Sequence, residues 1–323
     1  MAIFEPTKEN ISKAAALIQQ GELVSFATET VYGLGANALN PEACEKIFKA
    51  KERPHYDPLI VHIHSIEQLT EVAEEIPQSA LKVATYFWPG PLTMVLKKKS
   101  CIPDSITANL ETVAVRIPKH ELALALLKSA NVPIAAPSAN PFGYLSPTKA
   151  QHVEDQLGDK VQMILDGGEC ECGLESTIID FTEPQPQLLR HGAIPKETFE
   201  EMCGILKLGQ AVLEQPLAPG QLASHYSPDT KLVILDKDEK PDLRLNYGIL
   251  THSGLNKELR DGIYVERLSP GGDLKEAAHN LFSALHRLDK MNLDIIYAYE
   301  FPEEGLGAAI MDRLRKASVK LKK

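Results

Sequence analysis

Lys51 and Arg53 form a Lys-x-Arg pair, and Pro137-Ser138-Ala139-Asn140 closes an apolar run farther along the chain. Each sits beside a stretch that reads as a buried strand, so two cations and two short polar side chains can meet at one cleft. Together they suit phosphate: the cations offset its charge, and Ser138 and Asn140 supply short, rigid donors and acceptors at a strand end. No glycine-rich P-loop accompanies them. Cations at a helix end also suit the helix macrodipole with no ligand at all, so neighbouring residues must decide. Arg116 interrupts the apolar strand pattern 112–118 with one guanidinium, and a charge so placed needs a fixed anionic partner, carboxylate or substrate. Thr28-Glu29-Thr30-Val31-Tyr32-Gly33-Leu34-Gly35 reads as a polar, glycine-bearing turn leaving a strand end, where open α/β sheets bind ligands.

Other candidate groups carry less. Gly33-Leu34-Gly35-Ala36-Asn37-Ala38 spells the dinucleotide fingerprint G-x-G-x-x-A, but its glycines come several residues after the strand and the next helix begins only at Asn40-Pro41. Those glycines are expected to let backbone approach another segment or a ligand. His62 and His64 share a strand face by alternation, without a third ligand at readable metal spacing. Five cysteines, at positions 44, 101, 170, 172 and 203, are odd in number and irregularly spaced, which implies neither a disulfide framework nor a zinc site. Cys170-Glu171-Cys172 is the only close pair and reads as a loop feature.

The elements that must position these residues follow from pattern and punctuation. Thr7 caps a helix ending at Gly21, a strand covers 23–26, and a helix opening at Pro41 delivers Lys51 and Arg53 before Pro54 and Pro58 stop it. A strand at 59–64, helices at 66–73 and 79–87 and the turn Trp88-Pro89-Gly90-Pro91 come next. Strands at 92–96, 112–118, 132–136, 163–166, 175–180 and 188–190 complete the region with a helix at 121–129. A further helix is expected to start at Ser146-Pro147-Thr148, with its free N–H groups facing an anion. From 204 to 230, Pro216, Pro219, Gly220 and Pro228 mark a linker. Beyond it a smaller α/β domain resumes, with a helix capped by Asp273. The expected division is a domain at 1–204, a linker at 205–230 and a second domain at 231–323.

With 323 residues, 44% hydrophobic and 24% charged, the composition is globular and leaves room for two domains. The formal charge of −10 argues against a chain that coats nucleic acid but permits a local basic pocket. No apolar run reaches the roughly 18 to 20 residues of a membrane span, and the first ten residues lack a signal-peptide core. A cytoplasmic setting without membrane partners is expected.

Thr28-Glu29-Thr30-Val31-Tyr32-Gly33-Leu34-Gly35, Lys51-x-Arg53, Pro58-Leu59-Ile60-Val61-His62, Trp88-Pro89-Gly90-Pro91-Leu92-Thr93, Ala114-Val115-Arg116-Ile117-Pro118, Pro137-Ser138-Ala139-Asn140, Ser146-Pro147-Thr148 and Glu175-Ser176-Thr177-Ile178, in this order and spacing, resemble the threonylcarbamoyl-AMP synthase family. Ala218-Pro219-Gly220, His225-Tyr226-Ser227-Pro228 and the extra C-terminal domain are similar to its long, two-domain branch. The resemblance implies an α/β fold in which a twisted, open mixed sheet of YrdC-like type surrounds a deep cationic cavity, with a smaller Rossmann-like C-terminal domain. It implies a nucleotidyltransferase that converts L-threonine, bicarbonate and ATP to threonylcarbamoyl-AMP and pyrophosphate, with magnesium on the phosphates. Other, tRNA-modifying proteins would use the product on a tRNA adenosine, and weak contact with tRNA itself is open.

By motif match, Lys51, Arg53, Ser138 and Asn140 would hold the phosphates and carry the catalysis, with Thr112, Ser146 and Arg190 on the ATP side. Thr28, His62, Arg116 and Ser176 would surround threonine, and Tyr226 would lie over the cavity as part of a lid. Two positions depart from the family pattern: Ala27 and His191 stand where proline is usual. The absence of a Ser-His-Asp or Cys-His arrangement fits a reaction that needs no enzyme nucleophile. A non-catalytic RNA-binding module using the same cavity, or a transferase consuming carbamoyl phosphate, are the competing readings; the negative net charge disfavours the first.

Overall fold

Capping side chains start the helices where the sequence places them. The Thr7 hydroxyl accepts the Asn10 N–H ahead of the helix Lys8–Gln19, which buries Ala14, Ala15 and Ile18. Asn40 accepts from Glu42 and Ala43 ahead of Pro41–Lys51, with proline in the first turn, where it forfeits no intrahelical hydrogen bond. Asp273 does the same for Leu274–Asp289. The computed structural model describes residues 3–204, 206–209, 216–236, 238–254 and 263–319. The parts of the expected linker at 205 and 210–215 lie outside the described residues.

Among these residues the first two-thirds of the chain builds a twelve-stranded mixed sheet. Its central strands stand in the spatial order Val24–Phe26, Gly33–Asn37, Ile134–Ala135, Ile60–His62, Thr112–Arg116, Leu92–Lys98, Thr177–Asp180 and Gln187–Arg190. Ile60–His62 pairs in parallel with Thr112–Arg116, which sets His62 opposite Arg116, while Thr112–Arg116 runs antiparallel to Leu92–Lys98. Two largely apolar strands that end in His62 and Arg116 thus carry those residues to the same sheet end.

Two expectations are corrected here. The glycine run is not a turn: Gly33–Asn37 is a strand between Val24–Phe26 and Ile134–Ala135. A Cβ on Gly35 would stand 2.8 Å from the Phe26 ring and 2.9 Å from Ile134, so glycine is what lets these strands pack this closely. The helix expected at Ser146 begins instead at Ala150, with no side-chain cap, as Ala150–Leu157. Residues 146–148 lie outside any helix or strand, and there the Pro147 carbonyl accepts from Tyr32 and the Thr148 carbonyl from Cys170. The helix Lys196–Cys203 was not anticipated.

The second unit is a four-stranded, all-parallel sheet in the order Lys231–Leu235, Ile295–Tyr299, Tyr247–Thr251, Tyr264–Arg267, packed by the helices Leu274–Asp289 and Leu306–Ser318. Its core of Leu281, Phe282, Leu285, Ile296, Ile310 and Leu314 is continuous with Val31, Leu145, Leu174 and Tyr226. Apolar burial therefore joins the second unit directly to the polar loops of the first.

That junction also holds two imidazoles face to face. The His152 and His286 rings are 4.0 Å apart, and His286 Nε2 lies 3.1 Å from the Ser146 carbonyl oxygen. Burial, then each other's charge, brings His152 down to about 3, and burial brings His286 down to about 4. Both folded values lie below the unfolded one near 6.5, so unfolding takes up protons and stability falls as pH drops from about 6.5 towards 4. Urea melts between pH 7.5 and 4.5 should show this loss, and His286→Gln should make the slope shallower; an unchanged slope would remove the junction as its source.

Candidate active site

The ends of the central strands converge on one chamber. Ile60, His62, Arg116, Ser176 and Arg190 come from the sheet or its edge, and Thr28, Thr30 and Val31 from the loop between the first two central strands. Arg53 enters from beyond the helix Pro41–Lys51, and Pro137 and Ser138 from the exit of Ile134–Ala135. Pro219, Gly220, His225 and Tyr226 lie across the chamber as a strap, anchored where Leu217 and Ala218 pack on Ile60, Val95, Ala114, Ile178 and Leu189. The free cavity between the walls is about 50 Å³. With the strap in place the chamber is far smaller than the roughly 300 Å³ or more of an ordinary ligand site.

Three guanidiniums line this space, each pinned by local contacts. Arg116 donates through Nη1 to Thr30 Oγ1 at 2.8 Å and through Nε to the Gly90 carbonyl at 3.4 Å, the latter presented by the Trp88-Pro89-Gly90-Pro91 turn. Its Nη2 lies 2.7 Å from Glu29 Oε1, close enough to pair charge with charge but off the axis of a hydrogen bond, so neither Glu29 oxygen accepts one. Arg53 donates to the Asp57 and Pro58 carbonyls at 3.0 and 2.7 Å and pairs with the Asp57 carboxylate at 2.9 Å. Arg190 donates to the Ser176 carbonyl and hydroxyl, both at 3.0 Å, and reaches the strap at the Pro219 carbonyl, 3.3 Å away. Behind it the backbones touch: a Cβ on Gly192 would lie 2.3 Å from the Thr177 nitrogen, so the turn after Arg190 requires glycine.

The electrostatics favour an anionic guest. Burial, reinforced by Arg53, holds the Lys51 ammonium well below the usual lysine range, and burial also lowers Arg53 and Arg190. Positive groups crowded into a dry wall are stabilised by any negative charge brought between them. Burial and Arg116 push His62 down to about 3, so its imidazole is neutral, and its Nδ1 is buried without a hydrogen-bond partner. His225 is likewise held well below its usual value by burial and the surrounding cations.

Of the residues singled out in the sequence, Arg53, Ser138, Arg190, Tyr226, Thr28, His62, Arg116 and Ser176 line the chamber together. Lys51 and Asn140 stand one layer behind: the Lys51 ammonium donates to the carbonyls of Ser138, at 2.6 Å, and Asn140. The Asn140 amide nitrogen donates to Pro141 and Tyr144, leaving its Oδ1 buried without a partner. Ser146 is not among the lining residues, and its hydroxyl donates to Glu175 Oε1, which is, at 2.5 Å. Thr112, at the far end of its strand, is not among the lining residues, and its hydroxyl oxygen is buried without a hydrogen-bond partner. Among the described residues no three His, Cys, Asp or Glu side chains gather as a metal site, which leaves the His62 and His64 pair without a third ligand. No described helix is long and apolar enough to cross a membrane.

Sequence reasoning missed Glu29, Glu175 and Arg313. Arg313 lies on the same stripe as Ile310, Leu314 and Ala317 of the last helix, and a charge on an apolar stripe was the available signal.

A family model described as "Telomere recombination", covering Sua5, YciO and YrdC proteins, matches residues 16–192, and one described as "Threonylcarbamoyl-AMP synthase, C-terminal domain" matches residues 194–319. The chain is 45% identical to a threonylcarbamoyl-AMP synthase of Pyrococcus abyssi over 98% of both proteins. It is 41% identical to one of Bacillus subtilis, over 95% of this chain and 92% of that protein. The crystal structure of P. abyssi Sua5 complexed with L-threonine superimposes with a TM-score of 0.91 at 42% identity, covering 98% of each chain. E. coli YciO shares the fold over 59% of this chain, with a TM-score of 0.54 at 22% identity.

Proposed function

The chain belongs to the threonylcarbamoyl-AMP synthase family, in its two-domain Sua5 form, and from that premise we propose that its single chamber carries the whole reaction, from L-threonine, bicarbonate and ATP to threonylcarbamoyl-AMP and pyrophosphate. The observation that supports this most is the meeting of Arg116, Thr28, His62 and Ser176 with Arg53, Arg190 and Ser138 around one chamber. Arg116 takes the threonine carboxylate with its planar fork. The neutral His62 leaves the threonine ammonium unopposed, and its free Nδ1 offers a hydrogen-bond partner. Arg53 and Arg190, backed by Lys51, take the phosphates.

The threonine amine condenses with bicarbonate to a carbamate, and water leaves. A carbamate oxygen then attacks the α-phosphorus in line, its bond forms as the bond to the bridging oxygen breaks, and pyrophosphate departs with that electron pair. Chemically this is a nucleotidyl transfer. The protein contributes alignment, offset of the mutual repulsion of three anionic reactants, and exclusion of water from a labile mixed anhydride. ATP would enter as its magnesium complex, and Ser138 would offer a short hydroxyl to it from the chamber wall. The strap moves aside for the nucleotide, since the space it leaves is too small for one. The product then passes to proteins that transfer the threonylcarbamoyl group to a tRNA adenosine.

Purified protein given ATP, threonine and bicarbonate should release pyrophosphate only when all three are present. Release indifferent to threonine would reject the reading.

A further inference from the structure

We propose that Arg313, on the second domain's helix Leu306–Ser318, is a positioning residue for the nucleotide half of the chamber, which rests on ATP occupying that chamber. It neutralises the Glu175 carboxylate in the wall and fixes the Tyr226 ring across it. Among the described residues Arg313 is the bulkiest side chain that is wholly buried, at 0% exposure. Its Nε donates to Glu175 Oε2 at 2.8 Å, its Nη2 to the His191 carbonyl at 2.8 Å and its Nη1 to Asp312 at 2.6 Å. The guanidinium carbon lies 5.0 Å from the centre of the Tyr226 ring, within cation–π range. Every one of these contacts except Asp312 is to the first domain or the strap.

A guanidinium is a costly choice here. Ile310, Leu314 and Ala317 surround it on the helix's apolar stripe, and an apolar side chain in its place would hold two domains together at least as well as a buried ion pair does. The charge answers a different need. Glu175 lines a chamber whose guests are anions, and a carboxylate unpaired in a dry wall would repel a triphosphate strongly. Arg313 cancels that charge, and Glu175 is turned away to accept the Ser146 hydroxyl at 2.5 Å. The same helix grips the strap on either side of this contact. Lys316 Nζ donates to the Gly220 carbonyl at 2.7 Å, the Lys316 carbonyl accepts from His225 N–H, and Ser224 donates to the Val319 carbonyl. The second domain therefore sets both the charge of the wall and the seat of the strap, and Arg313 touches both.

The test is a double-variant cycle read in steady-state kinetics, with ATP varied at saturating threonine and threonine varied at saturating ATP. Arg313→Gln should raise the ATP KM by roughly tenfold or more, equivalent to about 1.4 kcal/mol per factor of ten, with the threonine KM within about twofold. Adding Glu175→Gln should recover most of the loss, because the wall is neutral again. A purely mechanical tie between domains gives the opposite: the second substitution deepens the loss. That result, or a folded Arg313→Gln protein with an unaltered ATP KM, overturns the proposal. Should Arg313→Gln alone unfold, the double variant decides: an ATP KM within about threefold of the unaltered chain supports the charge role, and a tenfold rise refutes it. Threonine-dependent pyrophosphate release by the unaltered chain is measured alongside; its absence would refute the assignment of ATP to the chamber, and with it the role of Arg313.

Discussion

An Arg116→Ala protein is expected to lose at least about a hundredfold in kcat/KM for threonine, about 2.7 kcal/mol, while its ATP KM changes less than about threefold. Two effects add. The planar fork that would hold the threonine carboxylate is gone, and Glu29, 3% exposed and 2.7 Å from Arg116, is left as an unpaired anion beside the empty place. Breaking one partner out of such a buried pair costs about 3–5 kcal/mol of stability, so the variant should also unfold at lower urea. The two effects separate in the Arg116→Ala, Glu29→Gln double variant: stability should return and threonine affinity should not. Arg116→Lys should recover charge but only part of the affinity, because a single ammonium cannot reproduce two parallel hydrogen bonds. Equal losses for ATP and threonine in steady-state kinetics would undo the placement of threonine at Arg116.

Legibility of the fold followed the range of the interactions that make it. Thr7, Asn40 and Asp273 cap helices through hydrogen bonds spanning two or three residues, and such signals are visible in a short window of sequence. The composition of Gly33–Asn37 speaks for a turn, and its strand identity comes from its sheet partners, the preceding strand with Phe26 on one side and the sequence-distant Ile134 on the other. Ser146-Pro147-Thr148 carries the composition of a helix start, yet it is held outside the helix by hydrogen bonds to Tyr32, Cys170 and Glu175. In the site, the guanidinium inside an apolar strand betrayed Arg116. Its partner Glu29 sits in a polar motif where another carboxylate attracts no notice. Arg313 and Glu175 are 138 residues apart, and nothing local to either marks them as a pair.

The largest loss of ATP use is expected from Lys51→Ala, a drop of about a thousandfold or more in kcat/KM for ATP, about 4 kcal/mol, although Lys51 stands behind the lining rather than in it. Lys51 is 1% exposed. Its ammonium donates to the Ser138 and Asn140 carbonyls, and its own carbonyl accepts from Phe142 N–H at 2.7 Å. One residue thus ties down the segment that presents Ser138 and adds a cation to the phosphate wall, so truncation loosens the loop and removes the charge together. Lys51→Met keeps most of the volume and isolates the charge. Burial and Arg53 hold the ammonium well below its usual range in the empty chamber. A triphosphate beside it favours the charged form and raises that value. At a pH near or above the free protein's value, ATP binding should therefore be accompanied by proton uptake, and it should weaken as pH rises through that value, because the free protein then enters the equilibrium with the lysine neutral. Calorimetry of ATP binding in buffers of different ionisation enthalpy measures the uptake directly. Lys51→Met should abolish it while threonine binding is kept, and uptake that persists in that variant would place the responsive group elsewhere.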